Sequence, residues 1–160
     1  MSGPIILASG SAIRKDILSG AGLSYEVIVK PVDEATIKNS MLAEGAKPRE
    51  IADALAQAKS IKVSRNHPGL VIGADQVMVM EGRLFDKPKD LTEARTRLLS
   101  MRGKPHQLIG AVVICENGEP VWRHASKTSL HVRDFSDAFL DAYIEAEGAD
   151  ILSSVGGYKF

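Results

Sequence analysis

Several stretches of this sequence carry side chains suited to work on a phosphate chain. The first is I-I-L-A-S-G-S-A-I-R-K-D-I-L, residues 5–18. A short apolar run stops at Ser9, Gly10 and Ser11, then resumes at helical spacing with Arg14 and Lys15 close behind. A helix start leaves its first amides unpaired and carries partial positive charge, so small residues there let an anion approach. Ser9 and Ser11 add hydroxyl donors, and the planar fork of Arg14 matches phosphate. The same residues also suit an ordinary turn in which Ser11 is an N-cap and Arg14 faces water. The stretch is not a Walker loop, because G-x-x-x-x-G-K-[ST] occurs nowhere in the chain.

Carboxylates follow at two informative places. Asp33 and Glu34 come just after Pro31 and read as a loop, where solvated charge is the plain expectation. Asp75 follows the buried-looking run 70–73 and the small Ala74, so it is expected to project from a sheet end. An acid there can hold Mg2+ beside a phosphate or polarise water, or it can simply close a turn. Lys59, four residues after Leu55, falls at the margin of its helix's apolar face, where most lysines snorkel. Lys87 precedes Pro88 in F-D-K-P-K, a rigid loop that either aims an ammonium inward or lies on the surface. Together these residues are the parts needed to cleave a polyphosphate. The histidines supply no rival set: none shows the i, i+4 spacing of a zinc helix, and no G-x-S-x-G elbow occurs.

The elements that must position these groups alternate between strand and helix. Residues 5–8 read as a buried strand, 12–20 as a helix, and 25–29 as a strand closed by Pro31. Residues 48–65 form a helix with Pro48 in its first turn, and 70–73 and 77–80 are apolar runs on either side of a polar interruption. Asp90 with Glu93 marks a helix start that ends near Gly103. Asn117-Gly118 between 107–116 and 120–132 is a hairpin signal, and Ser136 caps a last helix over 137–146, with Phe139, Leu140 and Tyr143 on one face. The pattern predicts an α/β protein, a mixed sheet flanked by helices.

Bulk properties narrow the class. The 160 residues are expected to form a single domain, 1–160, large enough for a real core. Twenty basic and twenty acidic side chains cancel, so no overall field draws nucleic acid or an acidic membrane, and any anion site must be built locally. The lone Cys115 excludes an internal disulfide. No apolar stretch approaches the roughly 18 residues of a membrane span, and no signal peptide is evident, so the expected location is cytoplasmic.

In order along the chain stand L-A-S-G-S-A-I-R-K-D-I-L, V-D-E at 32–34, A-L-A-Q-A-K at 54–59, G-A-D-Q-V at 73–77 and D-K-P at 86–88. This ordered series resembles the Maf family over essentially the whole chain, and it is far more specific than any one block. The resemblance implies an elongated mixed β-sheet flanked by helices, similar to inosine triphosphatases. It implies a nucleoside triphosphate pyrophosphatase, a hydrolase of phosphoric anhydrides that uses a divalent cation (Mg2+ or Mn2+) and often forms homodimers. Residue by residue, it implies that Asp75 accepts the proton of the attacking water. Ser9, Ser11, Arg14, Lys59 and Lys87 would bind the triphosphate, and Glu34 and Asp75 the metal. A depressed or metal-coupled Asp75 would be a weak base at neutral pH, so positioning of the water is expected to count for more than basicity. G-G-Y-K-F at 156–160 resembles the start of a further family block, which implies that members continue through a last strand and helix.

One departure bears on the base. Many members read S-P-R-R where this chain has Ser11, Ala12, Ile13 and Arg14. That position and the residue after the aspartate, Gln76 here, help select the base in the family. Members preferring thymidine or uridine triphosphate carry arginine and threonine there. The 7-methylguanosine triphosphate branch carries a non-arginine and glutamine, and Ile13 with Gln76 resembles that branch. Two other readings stand beside this one. L-A-S-G-S-A-I-R also echoes the L-A-G-G-x-G-x-R loop of nucleotidyltransferases, which usually run well beyond this length. A nucleotide-binding regulator linked to septum formation would hold a nucleotide without cleaving it.

Overall fold

The apolar run Ile5-Ile6-Leu7 forms a strand, β1 (Ile5–Leu7), too short to stand alone and zipped between two parallel neighbours. On one side lies β2 (Glu26–Val27), with Ile6 opposite Glu26; on the other lies β3 (Leu70–Met80), with Ile5, Ile6 and Leu7 opposite Leu70, Val71 and Ile72. The computed structural model describes residues 3–159, which divide into two compact units: 3–76 with 110–126, and 77–109 with 127–159. Among the described residues one mixed sheet has the order β2-β1-β3-β5-β6, with β4 paired to β3.

The first unit carries three helices. Ser11 caps α1 (Ala12–Gly20), its Oγ accepting from the Arg14 amide at 3.4 Å. Asp33 caps α2 (Glu34–Ala43), accepting from the Thr36 amide at 3.1 Å. Pro48 opens α3 (Pro48–Ser64), and the Glu50 carboxylate accepts the Lys47 amide at 2.7 Å. Ile51, Ala52, Leu55, Ala56, Ser60 and Val63 form the buried face of α3. Val63 packs with Ile6, Ala8 and Val71, so this helix lies on the β1–β3 part of the sheet. The contact is closest at Gly73, where a Cβ would lie 2.2 Å from the Ala56 carbonyl oxygen. No larger residue fits without separating helix from strand. Ser60, buried beside it, donates to the carbonyls of Ala56 and Gln57 and lies 3.1 Å from the Cys115 sulfur.

In the second unit, β3 turns at Glu81-Gly82 into β4 (Arg83–Phe85), with Met78 opposite Phe85. Asp90 caps α4 (Leu91–Met101). The strands β5 (Pro105–Glu116) and β6 (Glu119–His131) have residues in both units and meet in the first, at Asn117-Gly118, both with positive φ (52° and 81°), the conformation of a tight primed hairpin turn. Ser136 caps α5 (Asp137–Glu147). Met78, Met80 and Met101 make the local core. Arg97, buried on α4, donates to the Asp86 carbonyl and to the Val155 carbonyl (2.8 Å for the latter), which ties down the loop after β4.

The structure corrects four expectations. Asp75 does not end a strand: β3 runs unbroken for 11 residues with Asp75 in its middle. Asp33-Glu34 is not a loop but the cap and first residue of α2, a helix whose weakly amphipathic sequence, with no fully buried residue, gave no periodic signal. The strand β4 was also unforeseen, being only three residues long. The apolar face of α5 is less buried than its sequence implies: Phe139, Leu140 and Tyr143 line one cavity, but Leu140 alone of the three is buried and Phe139 is exposed beside Phe135. Among the described residues no helix is long and apolar enough to cross a membrane. Phe160, the last residue of the G-G-Y-K-F block, lies outside the described residues.

The Gly73 contact predicts a stability effect. Gly73→Ala should cost about 2–4 kcal/mol, because backbone rather than a movable side chain blocks the added methyl. Gly10→Ala, where a Cβ meets nothing within 4 Å, should change stability by less than about 0.5 kcal/mol. Urea unfolding midpoints of the two variants check this.

Candidate active site

The turn after β1 brings its polar groups together on Ser9. The Ser9 hydroxyl is buried and accepts the Ser11 amide at 3.3 Å and the Arg14 guanidinium at 3.0 Å. Ser11 is therefore the N-cap of an ordinary turn, while Arg14 folds back over that turn rather than into water. The first turn of α1 holds Arg14 and no acid, which opposes the helix dipole. Such an arrangement is unfavourable for the isolated helix and becomes favourable beside anions.

Those anions come from α2 and β3. The Lys59 ammonium on α3 lies 2.7 Å from Glu34 Oε1 and 2.8 Å from Asp75 Oδ1. Asp75 is 11 % exposed and Lys59 17 %, whereas Glu34 is 50 % exposed. Burial pushes the Asp75 carboxyl above the usual carboxylate range; Lys59 and Arg14 pull the other way, and Glu34 adds to the rise. Desolvation outweighs the two cations at this carboxyl. Burial also lowers the Arg14 pKa against the attraction of Asp75 and Glu34. Asp33 stands apart in role: the Thr36 hydroxyl and amide hold its carboxylate below the ordinary range, so it is occupied as a cap.

Ser9, Ser11, Arg14, Glu34, Lys59 and Asp75 therefore all belong to the first unit, linked by hydrogen bonds, ion pairs or charge. Ile13 and Gln76 are exposed there too, at the start of α1 and one residue beyond Asp75. Lys87 belongs to the second unit, exposed in the loop that Arg97 anchors through Asp86. A cavity of about 660 Å3 in that unit is lined by His106, Tyr143, Tyr158 and their neighbours, and no site residue named above lines it. One positioning contact was missed by sequence reasoning. Lys62, one turn beyond Lys59, donates to the Pro31 carbonyl and holds the segment leading into Glu34. The i, i+3 spacing of the two lysines was the available signal.

The donor set suits a divalent cation only in part. Among the described residues no three acidic, histidine or cysteine side chains converge as a closed metal site. Two carboxylate oxygens do converge on one point, the Lys59 nitrogen. Mg2+ is commonly held by one or two carboxylates with the remaining positions filled by water and substrate phosphates, so these residues fit it on that footing.

Fold and cluster define an α/β protein with a buried acid–base pair beside a cationic helix start. The chain belongs to the family described as Maf-like protein, whose profile matches residues 4–160. A protein of Caulobacter vibrioides called nucleoside triphosphate pyrophosphatase is 51 % identical over 156 residues, 98 % of this chain and 78 % of that one. A Ruegeria pomeroyi protein of the same description is 47 % identical over 160 residues, 99 % of this chain and 80 % of that one. Among solved structures, a Mycobacterium abscessus nucleoside-triphosphatase described as a dITP/XTP pyrophosphatase covers 90 % of this chain and 94 % of its own, with a TM-score of 0.44 at 14 % identity.

The raised Asp75 pKa predicts a pH effect with a definite sign. The folded chain binds this proton more tightly than the unfolded chain, so ionising Asp75 costs stability as pH rises through the raised value. Relative to Asp75→Asn, the native protein should gain stability as pH falls from about 7 to about 4, near the unfolded value. Urea unfolding of both proteins across that range tests it; a difference growing with pH instead would mean that Lys59 outweighs burial.

Proposed function

We propose that the protein hydrolyses a nucleoside triphosphate to the monophosphate and pyrophosphate. The observation that carries this reading is the Lys59 bridge between Glu34 and Asp75 in the same unit as Ser9, Ser11 and Arg14. The ordered Maf-family blocks and the names of the relatives support it.

In this reading the Ser9–Ser11 turn and Arg14 receive the phosphate chain, and a side chain at Gly10 would meet no protein atom within 4 Å, leaving the backbone approachable. Lys59 supplies a second cation, and Lys87 is the third that the family resemblance implies. Asp75 orients a water and takes its proton as the water oxygen bonds to the α-phosphorus. The bond from that phosphorus to the bridging oxygen breaks, and its electron pair leaves with pyrophosphate. Its place in the middle of β3 fixes the direction of the Asp75 carboxylate, so positioning of the water counts for more than basicity. Glu34 and Asp75 would hold Mg2+ or Mn2+, which supplies charge neutralisation on the departing phosphates. Base selection falls to Ile13 and Gln76, a pair that resembles the 7-methylguanosine triphosphate branch. The protein would then clear a modified or non-standard nucleotide from the pool, as a cytoplasmic enzyme and a homodimer.

Incubating a panel of nucleoside triphosphates, including 7-methylguanosine triphosphate, with protein and Mg2+ or Mn2+ tests this directly. Equal release of monophosphate and pyrophosphate is expected, and Asp75→Asn should lower kcat by about a hundred- to ten-thousandfold. Inorganic phosphate as the product would place the attack on another phosphorus, and nucleotide binding without turnover would favour the regulator reading.

A further inference from the structure

The Lys59 ammonium lies where the two carboxylates assigned to a divalent cation converge, 2.7 Å from Glu34 and 2.8 Å from Asp75. An ammonium is a compact cation on a flexible four-carbon stem, able to make this contact or to leave it. We propose that the Lys59 ammonium and a divalent cation compete for these same two carboxylate oxygens, and that the phosphate chain resolves the competition by taking the ammonium. The proposal rests on the reading of Glu34 and Asp75 as metal ligands.

Charge explains the coupling. Glu34 and Asp75 carry two negative charges, and Lys59 and Arg14 two positive ones, so the cluster is formally neutral. A lone divalent cation meets no net attraction and must also displace a lysine already within contact distance. A triphosphate offers several anionic oxygens, to which Lys59 and Arg14 can turn, leaving the carboxylates to the metal. Each ligand then improves the site for the other, and the gain is equal in both directions. Asp75 belongs to a continuous strand and Lys59 to a helix held close at Gly73, so the side chain of Lys59, rather than the backbone, must move.

Mn2+ binding without nucleotide tests the competition, followed by electron paramagnetic resonance and by the Mn2+-dependent shift in Tm, which also reports folding. Lys59→Met should bind Mn2+ at least about tenfold more tightly than the native protein, an expectation set by removing one like charge at contact distance. Lys59→Arg, which keeps the charge, should not. Lys59→Gln replaces Lys59→Met if the latter fails to melt cooperatively. Equal or weaker Mn2+ binding by the neutral variant overturns the proposal. Tight binding that survives Glu34→Gln in the Lys59→Met background locates the metal elsewhere, and overturns the ligand assignment beneath the proposal instead. With an α,β-methylene triphosphate, the mutual tightening of nucleotide and Mn2+ should be larger in the native protein than in Lys59→Met. An equal gain in both overturns the role given to the phosphate chain.

Discussion

The contact on which the site depends is the Lys59 ammonium between a strand carboxylate and a helix carboxylate. Its two arms are physically unequal. The link to Asp75 is largely removed from water, where a charge without a partner is costly. The link to Glu34 is half exposed, and pairs of that kind contribute under about 1 kcal/mol. Asp75 is therefore the costlier end of the bridge to leave without a partner and Glu34 the less costly one.

The bridge exists because α3 and β3 approach without a side chain between them. Gly73 lets the helix backbone come down onto the strand, and Ser60 satisfies its hydroxyl within the helix and touches Cys115 on β5. Lys59 precedes Ser60, and Asp75 follows Gly73 by two residues. The residues that bring the backbones together thus adjoin the two that form the ion pair. Lys62 then draws in the Pro31 carbonyl, and Asp33 starts α2 so that Glu34 arrives at the bridge. Three backbone segments are fixed by packing and capping before any charge is considered.

The helix start at Ser11 completes the electrostatics. Arg14 sits at a helix N-terminus, where a cation is locally unfavourable, and its guanidinium is partly desolvated. Asp75 and Glu34 offset both costs through their charge. The strains of the site are mutual: a largely desolvated acid with a raised pKa and a partly desolvated guanidinium with a lowered one each reduce the other's penalty. Functional sites concentrate such opposed perturbations.

Local chemistry is what the sequence alone determined. Caps at Ser11, Asp90 and Ser136, Pro48 at a helix start and the Asn117-Gly118 turn act within a few residues, so their elements were legible to within a residue or two. The candidate site residues were legible as types in an order, and their joint occurrence carried the family resemblance. Tertiary structure decided the rest. The strand through Asp75 looked interrupted because a carboxylate opposes burial locally, and the cations that offset that cost, Lys59 above all, are distant in sequence, Lys59 by 16 residues. Glu34 looked like loop charge because α2 has little apolar periodicity and is held by α3 instead. The cationic side chains that surround Asp75 can be read as types from the sequence. Its burial cannot, since desolvation depends on what the folded chain packs around a group, and here desolvation is the larger effect.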